Sequence, residues 1–167
     1  ALEPYKDREN VLVLAIPRGG VEVGAQVARH LGADLSMVIT RKLPFPHNPE
    51  AGFGALAEDG SLYLHPRAAD TLPSETVEAV IDDQKKEVER RIEVLRNGEP
   101  LPRIAERTVI LVDDGIAMGS TMRATIELCK NQRAGMIVVA VPVASDRITR
   151  EIEARVDRCV VLETPQF

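Results

Sequence analysis

Asp113 and Asp114 stand side by side, directly after the β-formers Val109, Ile110, Leu111 and Val112 and shortly before the small residues Ala117, Gly119, Ser120 and Thr121. Adjacent carboxylates where a strand leaves its sheet suit the hydroxyls of a sugar, a Mg²⁺ ion, or both. The residues Ala117, Met118, Gly119, Ser120 and Thr121 then lead into a segment with helical periodicity. A small turn at a helix N-terminus offers free backbone N–H groups and a positive dipole end, which together make a cradle for phosphate. An ordinary strand–turn–helix with a charged turn is the plainer alternative. A second anion-binding turn is available at Arg18-Gly19-Gly20, after the apolar run Val11–Ile16. Taken alone, a tight connection between strand and helix explains those two glycines equally well. Arg41-Lys42 closes the next apolar run, where a basic pair suits a departing anion or simply the surface.

These side chains need a scaffold that gathers strand ends, and the rest of the chain has the pattern of one. Strands and helices alternate, as in a parallel sheet with crossover helices. Strands are expected at Val11–Ile16, Leu35–Thr40, Val109–Val112, Met136–Val141 and Arg158–Leu162. Helices are expected over Gly20–Leu31, stopped by Gly32, and over Ser74–Asn97, stopped by Gly98. Another runs from about Thr121 to Ala134 before Gly135, and a short one capped by Asp146 ends at Ala154. The segment 41–51 holds Pro44, Pro46 and Pro49 without periodicity and reads as a long loop. Across 52–65, Asp59-Gly60 sits between two short apolar runs as a two-residue hairpin turn. The prediction is one α/β domain over residues 1–167, a mainly parallel sheet flanked by helices, with a β-hairpin and a flexible loop over the site.

Composition narrows the class. A chain of 167 residues with 44% hydrophobic and 28% charged residues has a globular composition and room for one proper core. No apolar run approaches the roughly 20 residues of a membrane helix, and no basic, apolar leader opens the sequence. A net charge of −5 argues against general nucleic-acid binding. Cys129 and Cys159 read as reduced thiols inside elements, which fits a cytoplasmic setting. There is no G-x-x-x-x-G-K-[ST] and no G-x-S-x-G, and His30, His47 and His65 lack metal-ligand spacing.

The segment Val109–Thr121 resembles the signature of type I phosphoribosyltransferases, which use 5-phosphoribosyl-1-pyrophosphate (PRPP). Gly115 departs from the small aliphatic residue common there, and Met118 from the usual small or hydroxyl residue. The further pattern I-P-R-G-G, R-K-L-P, N-P-E, V-D-D-G and L-E-T-P is similar to a bacterial and archaeal phosphoribosyltransferase-like group whose acceptor is generally unassigned. The resemblance implies that Ala117–Thr121 hold the sugar 5′-phosphate, with Thr121 also capping the helix. It implies that Asp113 and Asp114 hold the ribose hydroxyls and steady a cationic sugar, with Mg²⁺ bound at them largely through PRPP and water. Arg18, Gly19, Gly20, Arg41 and Lys42 then bind pyrophosphate in a loop that often contains a cis peptide, and Lys42 joins the two aspartates as catalytic. The loop 41–51, with His47, Asn48 and Glu50, takes the place of the family's flexible lid. Phe167 is a candidate for stacking on a base.

The activity implied is transfer of ribose 5-phosphate from PRPP to a nitrogen acceptor, a nucleobase, with release of pyrophosphate. The partners expected are PRPP, a base and a second copy in a homodimer, without nucleic acid or membrane. Two other readings stand beside it: a PRPP-binding regulator without turnover, and a hydrolase that uses water as acceptor.

Overall fold

The computed structural model describes residues 1–165. In chain order, a 3-10 turn at Glu3–Tyr5 precedes β1 (Val11–Ala15), α1 (Gly19–Leu31), β2 (Asp34–Met37), β3 (Thr40–Phe45), β4 (Asn48–Ala57) and β5 (Leu62–Leu64). There follow α2 (Pro66–Ala69), α3 (Ser74–Arg96), β6 (Thr108–Val112), α4 (Ser120–Asn131), β7 (Met136–Val143), α5 (Asp146–Glu153) and β8 (Arg158–Glu163). The chain divides into two compact units, one of Ala1–Val38, Leu101–Gly119 and the chain from Cys129 onward, the other of Ile39–Pro100 and Ser120–Leu128.

The first unit is built on a parallel sheet in the order β2-β1-β6-β7-β8. Every residue of β1 and Val109–Val112 of β6 are buried, as strands covered on both faces require. Their register sets Val11 beside Thr108 and Ala15 beside Val112, so the two strands end level with each other. From β1 the chain runs through α1 to β2 on one side; from β6 it runs to β7 and β8 on the other. The strand order therefore reverses between β1 and β6, where open α/β sheets leave a crevice at their carboxyl ends. Gly32, with φ +64, stops α1 as expected, its N–H bonded back to the last turn.

The second unit holds an antiparallel sheet, β3-β4-β5, against α3. Ile39, Leu43, Phe53, Leu56 and Val88 form its core, ringed by Val77, Val80, Ile81, Ile92 and Leu95 of α3. Asp59-Gly60 makes the β4–β5 turn, with Gly60 at φ +93 and the Asp59 carboxylate accepting the Ser61 N–H at 2.9 Å. Glu58 is buried against Arg96 at 2.7 Å and also accepts the Ile39 N–H at 2.7 Å.

Several expectations need correction. The segment 41–51 is not a loop: it is most of β3 and the start of β4. Pro44 is tolerated because β3 is an edge strand and the register shifts on either side of it, Pro46 lies in the tip turn, and Pro49 falls between the Asn48 and Gly52 pairings of β4, outside the ladder. The second parallel strand ends at Met37, so Arg41 and Lys42 do not close it; they belong to β3 in the other sheet. Helix α4 ends at Asn131, and Arg133 takes the left-handed conformation (φ +63) expected of Gly135. Gly135 instead makes room for the Glu106 carbonyl, 3.0 Å from where its Cβ would stand. Ser145, not Asp146, caps α5, its Oγ accepting the Ile148 N–H at 3.3 Å.

Candidate active site

Two turns leave the level ends of β1 and β6, and the first unit brings them into contact. After β1 a cis peptide joins Pro17 to Arg18, and α1 opens at Gly19. The Gly20 N–H bonds the Ile16 carbonyl at 3.0 Å and the Val21 N–H bonds the Arg18 carbonyl at 3.2 Å, which tightens the turn. A Cβ at Gly19 would lie 2.1 Å from Asp114 Oδ2, and one at Gly20 would lie 2.7 Å from the Val112 carbonyl oxygen. At Gly20 the neighbour is backbone and only glycine fits, while at Gly19 a methyl group would displace the Asp114 carboxylate. The Arg18-Gly19-Gly20 turn and the acidic pair are thus one constellation at the switch point.

The two carboxylates differ in environment. Asp113 is half-buried, and its Oδ1 accepts the Asp114 N–H at 2.8 Å. Burial pushes the Asp113 carboxyl up to about 7; the Asp114 N–H opposes that rise and the neighbouring Asp114 carboxylate adds to it. Asp114 is exposed, with no ion-pair partner among the described residues. Its carboxylate lies at the N-terminus of α1, where the helix dipole favours negative charge.

Beyond the pair, Gly115 passes Val143 closely, with 3.0 Å between its would-be Cβ and Val143 Cγ1. The Ile116 N–H bonds the Val143 carbonyl at 3.1 Å and Ile116 bridges Ala144, which pins the turn to the end of β7. Ala117 and Met118 are exposed, and Gly119 (φ +86) leads into α4 at Ser120. Thr121 is therefore the second residue of α4 and not its cap; its carbonyl accepts the Thr125 hydroxyl at 2.8 Å. A cleft of about 1080 Å³ opens beside the turn, lined by Asp114–Met118, Val143–Arg147, Thr164 and Pro165. Small-molecule sites are typically about 300–1,000 Å³, so a nucleotide-sized ligand fits. Ser145 and Arg147 escaped the sequence reading, and Thr164 entered it only within the L-E-T-P pattern, with no role assigned. They follow the carboxyl ends of β7 and β8, the one signal that points to them.

Arg41 and Lys42 belong to the second unit, where Arg41 Nε donates to Gln84 Oε1 at 3.2 Å and Lys42 Nζ to the Glu50 carbonyl at 2.8 Å. His47, Asn48 and Glu50 are exposed at the β3–β4 tip. Phe167 lies outside the described residues. Neither Cys129 nor Cys159 is in a disulfide; Cys129 is buried, and partial burial pushes Cys159 up to about 11.

Among the described residues no three His, Cys, Asp or Glu side chains converge on a metal site. Mg²⁺ commonly binds through one or two carboxylates, several waters and substrate phosphates, and Asp113 with Asp114 fits that mode.

The family model for the phosphoribosyl transferase domain matches residues 2–167. The chain belongs to the phosphoribosyl transferase domain family. A Mycobacterium tuberculosis protein named "putative phosphoribosyl transferase" is 38% identical over 157 residues, which span 93% of this chain and 35% of that protein. The chain thus covers about a third of the length of the curated relatives it matches. The crystal structure of TT1426 from Thermus thermophilus is 38% identical, with a TM-score of 0.80 over 99% of this chain and 78% of that one. The APRTase of Giardia lamblia, crystallised with 9-deazaadenine, has a TM-score of 0.56 at 16% identity, over 99% of this chain and 76% of that one. That likeness is one of fold: the five-stranded parallel sheet with helices and a separate antiparallel sheet is a phosphoribosyltransferase architecture.

Proposed function

We propose that this phosphoribosyltransferase domain transfers ribose 5-phosphate from PRPP to a nitrogen acceptor, a nucleobase, and releases pyrophosphate in a Mg²⁺-dependent reaction. The carrying observation is the abutment of Gly19 on Asp114 at the β1/β6 switch point, because PRPP has phosphate at both ends of its ribose. In this reading the backbone N–H groups of Ala117–Thr121 hold the 5′-phosphate, and Met118 retains its N–H whatever its side chain. Asp113 and Asp114 hold the 2′- and 3′-hydroxyls, and their charge steadies the oxocarbenium-like sugar. Asp113 carries a negative charge in the pH range above its raised pKa, so this role is strongest in mildly alkaline solution. Arg18 and the Gly19-Gly20 turn bind pyrophosphate, and Lys42 assists its departure. Mg²⁺, held by Asp113 and Asp114 through ligand and water, supplies neutralising charge to the leaving group. The cleft beside Ser145, Arg147 and Thr164 takes the acceptor.

Exposed Met118, standing where a hydroxyl is usual, favours a second reading: a PRPP sensor without turnover. Pyrophosphate release from PRPP and Mg²⁺, measured against a panel of purines, pyrimidines and other heterocycles, separates the two. Release that depends on acceptor establishes the transferase and names its substrate class. Release without acceptor identifies a hydrolase. Saturable PRPP binding without release identifies the sensor. Asp113→Asn with Asp114→Asn abolishes turnover in the transferase and weakens PRPP binding; full activity of that double variant overturns the assignment.

A further inference from the structure

The expected basic pair is split by the strand that carries it. Neighbours along β3 point to opposite faces, so Arg41 shares a face with buried Leu43 while Lys42 turns away. The Arg41 face meets α3, and there Arg41 joins a cluster of its own. Its Nε donates to Gln84 Oε1 at 3.2 Å, a neutral partner. One turn further along α3, Glu87 accepts from Arg90 Nε at 3.0 Å, from Arg90 Nη2 at 2.6 Å and from Arg91 Nε at 3.0 Å. Two guanidiniums thus hold one carboxylate, one helical turn from the Gln84 amide that Arg41 touches. Arg90 satisfies Glu87 through a two-pronged contact, while Arg91 touches it through Nε alone. The terminal nitrogens of Arg41 and Arg91 donate to no protein atom among the described residues.

Arg41 and Arg91 are both half-buried. Bringing two like charges together in a partly desolvated place is unfavourable unless an anion joins them. The cost is visible at Arg41, which burial first, and then the Arg91 charge, push below the ordinary arginine range. Glu87, held down to about 2 by Arg90 and Arg91, offsets part of this and leaves an excess of positive charge. Open guanidinium forks of this kind match the oxygens of phosphate, which accept two parallel N–H bonds from each arginine.

We propose that Arg41 and Arg91, with Arg90 alongside, form a second anion site that takes the phosphate group of a small phosphorylated metabolite, and that Glu87 is its internal competitor. The site lies wholly in the second unit, and it assigns Arg41 to this anion in place of the pyrophosphate role that the family resemblance implies. Binding draws Arg91 away from Glu87 and ties β3 to α3 through the shared anion.

Calorimetric titration of the full chain with inorganic phosphate, pyrophosphate and a nucleoside monophosphate, at low salt and without Mg²⁺, tests this. The same titrations on Arg18→Ala isolate the site from any pyrophosphate bound near Arg18. Arg41→Gln and Arg91→Gln are each expected to weaken this class of binding by about tenfold, the loss of one charge-assisted bond. Glu87→Gln is expected to tighten it severalfold, a gain that an unfolded protein cannot produce. Whichever of the three probes binds identifies the source of the phosphate, provided it shows this pattern. Binding unaltered in Arg41→Gln and Arg91→Gln, or weakened in Glu87→Gln, overturns the proposal. So does no saturable binding of any probe to the Arg18→Ala chain, or equal competition by chloride at matched ionic strength.

Discussion

Gly19 is the residue on which the geometry of the acidic pair turns. A methyl group there would stand 2.1 Å from Asp114 Oδ2, far inside contact distance, so Gly19→Ala must rotate the carboxylate or shift the turn. Asp114 is exposed and its carboxylate can swing aside, so the cost stays below the roughly 1–3 kcal/mol of core overpacking. Chemical denaturation of Gly19→Ala is expected to show a loss of less than about 1 kcal/mol, while pyrophosphate release falls further than stability explains. A Gly19→Ala chain with normal turnover would remove Asp114 from the ribose. Asp113 offers a different test, through pH. Its folded carboxyl titrates near 7 against an unfolded value of 3.8, so between those values the folded chain holds a proton that the unfolded chain has lost. Stability contributed by this group therefore falls as pH rises through that window and levels off above it. Asp113→Asn removes the slope. Thermal melts in EDTA are expected to show the variant gaining on the parent by at least about 2 °C between roughly pH 5 and pH 8. Parallel curves would mean that Asp113 is already ionised when folded.

Elements were legible where one physical signal acted alone. The buried parallel strands announced themselves as unbroken apolar runs, and α1 and α3 as amphipathic stretches closed by Gly32 and by Asn97-Gly98. The Asp113–Asp114 turn was legible too, because strand, acids and small residues follow one another in sequence. Legibility failed where tertiary pairing overrode local composition. Three prolines made 41–51 look like a loop, yet an edge strand takes Pro44, the tip turn takes Pro46 and an unpaired stretch of β4 takes Pro49, and no local pattern shows where that pairing will lapse. Residues at the ends of β7 and β8 were equally hidden, since only the strand order brings Ser145 and Thr164 to one cleft. Glu58 is the plainest case: nothing in the sequence beside the hairpin turn singles it out, but its side chain and that of Arg96 are each 7% exposed and 2.7 Å apart. Removing one member of a buried pair costs about 3–5 kcal/mol, because the other stays desolvated. Glu58→Ala is expected to lose that much in urea unfolding and to leave the Ile39 N–H without its acceptor. Adding Arg96→Met is expected to recover a good part of the loss. Equal loss in single and double variants would show that the Ile39 bond, not the charge pair, carries the stability.

At the scale of the whole molecule, metal binding and folding are expected to be separable. Among the described residues no set of three ligating side chains converges, and the proposed Mg²⁺ relies on Asp113 and Asp114 alone from the protein. Its place in the proposed reaction depends on ligand phosphate as much as on Asp113 and Asp114. The two events are therefore linked: Mg²⁺ is expected to raise the melting temperature only when PRPP is present, and PRPP to stabilise more strongly when Mg²⁺ is present. A ligand at a hundred times its Kd adds about 2.7 kcal/mol of stability, which for a domain of this size moves Tm by roughly 5–10 °C. Scanning calorimetry with EDTA, Mg²⁺, PRPP and both together reads all four corners of this cycle. EDTA alone is expected to leave Tm within about a degree of the untreated chain, while it abolishes pyrophosphate release. Strong stabilisation by Mg²⁺ without PRPP would contradict this, since it would require a preformed metal site. PRPP stabilising equally with and without Mg²⁺ would place recognition in the backbone turns and the arginine alone. The metal would then act on the leaving group during transfer and not in binding.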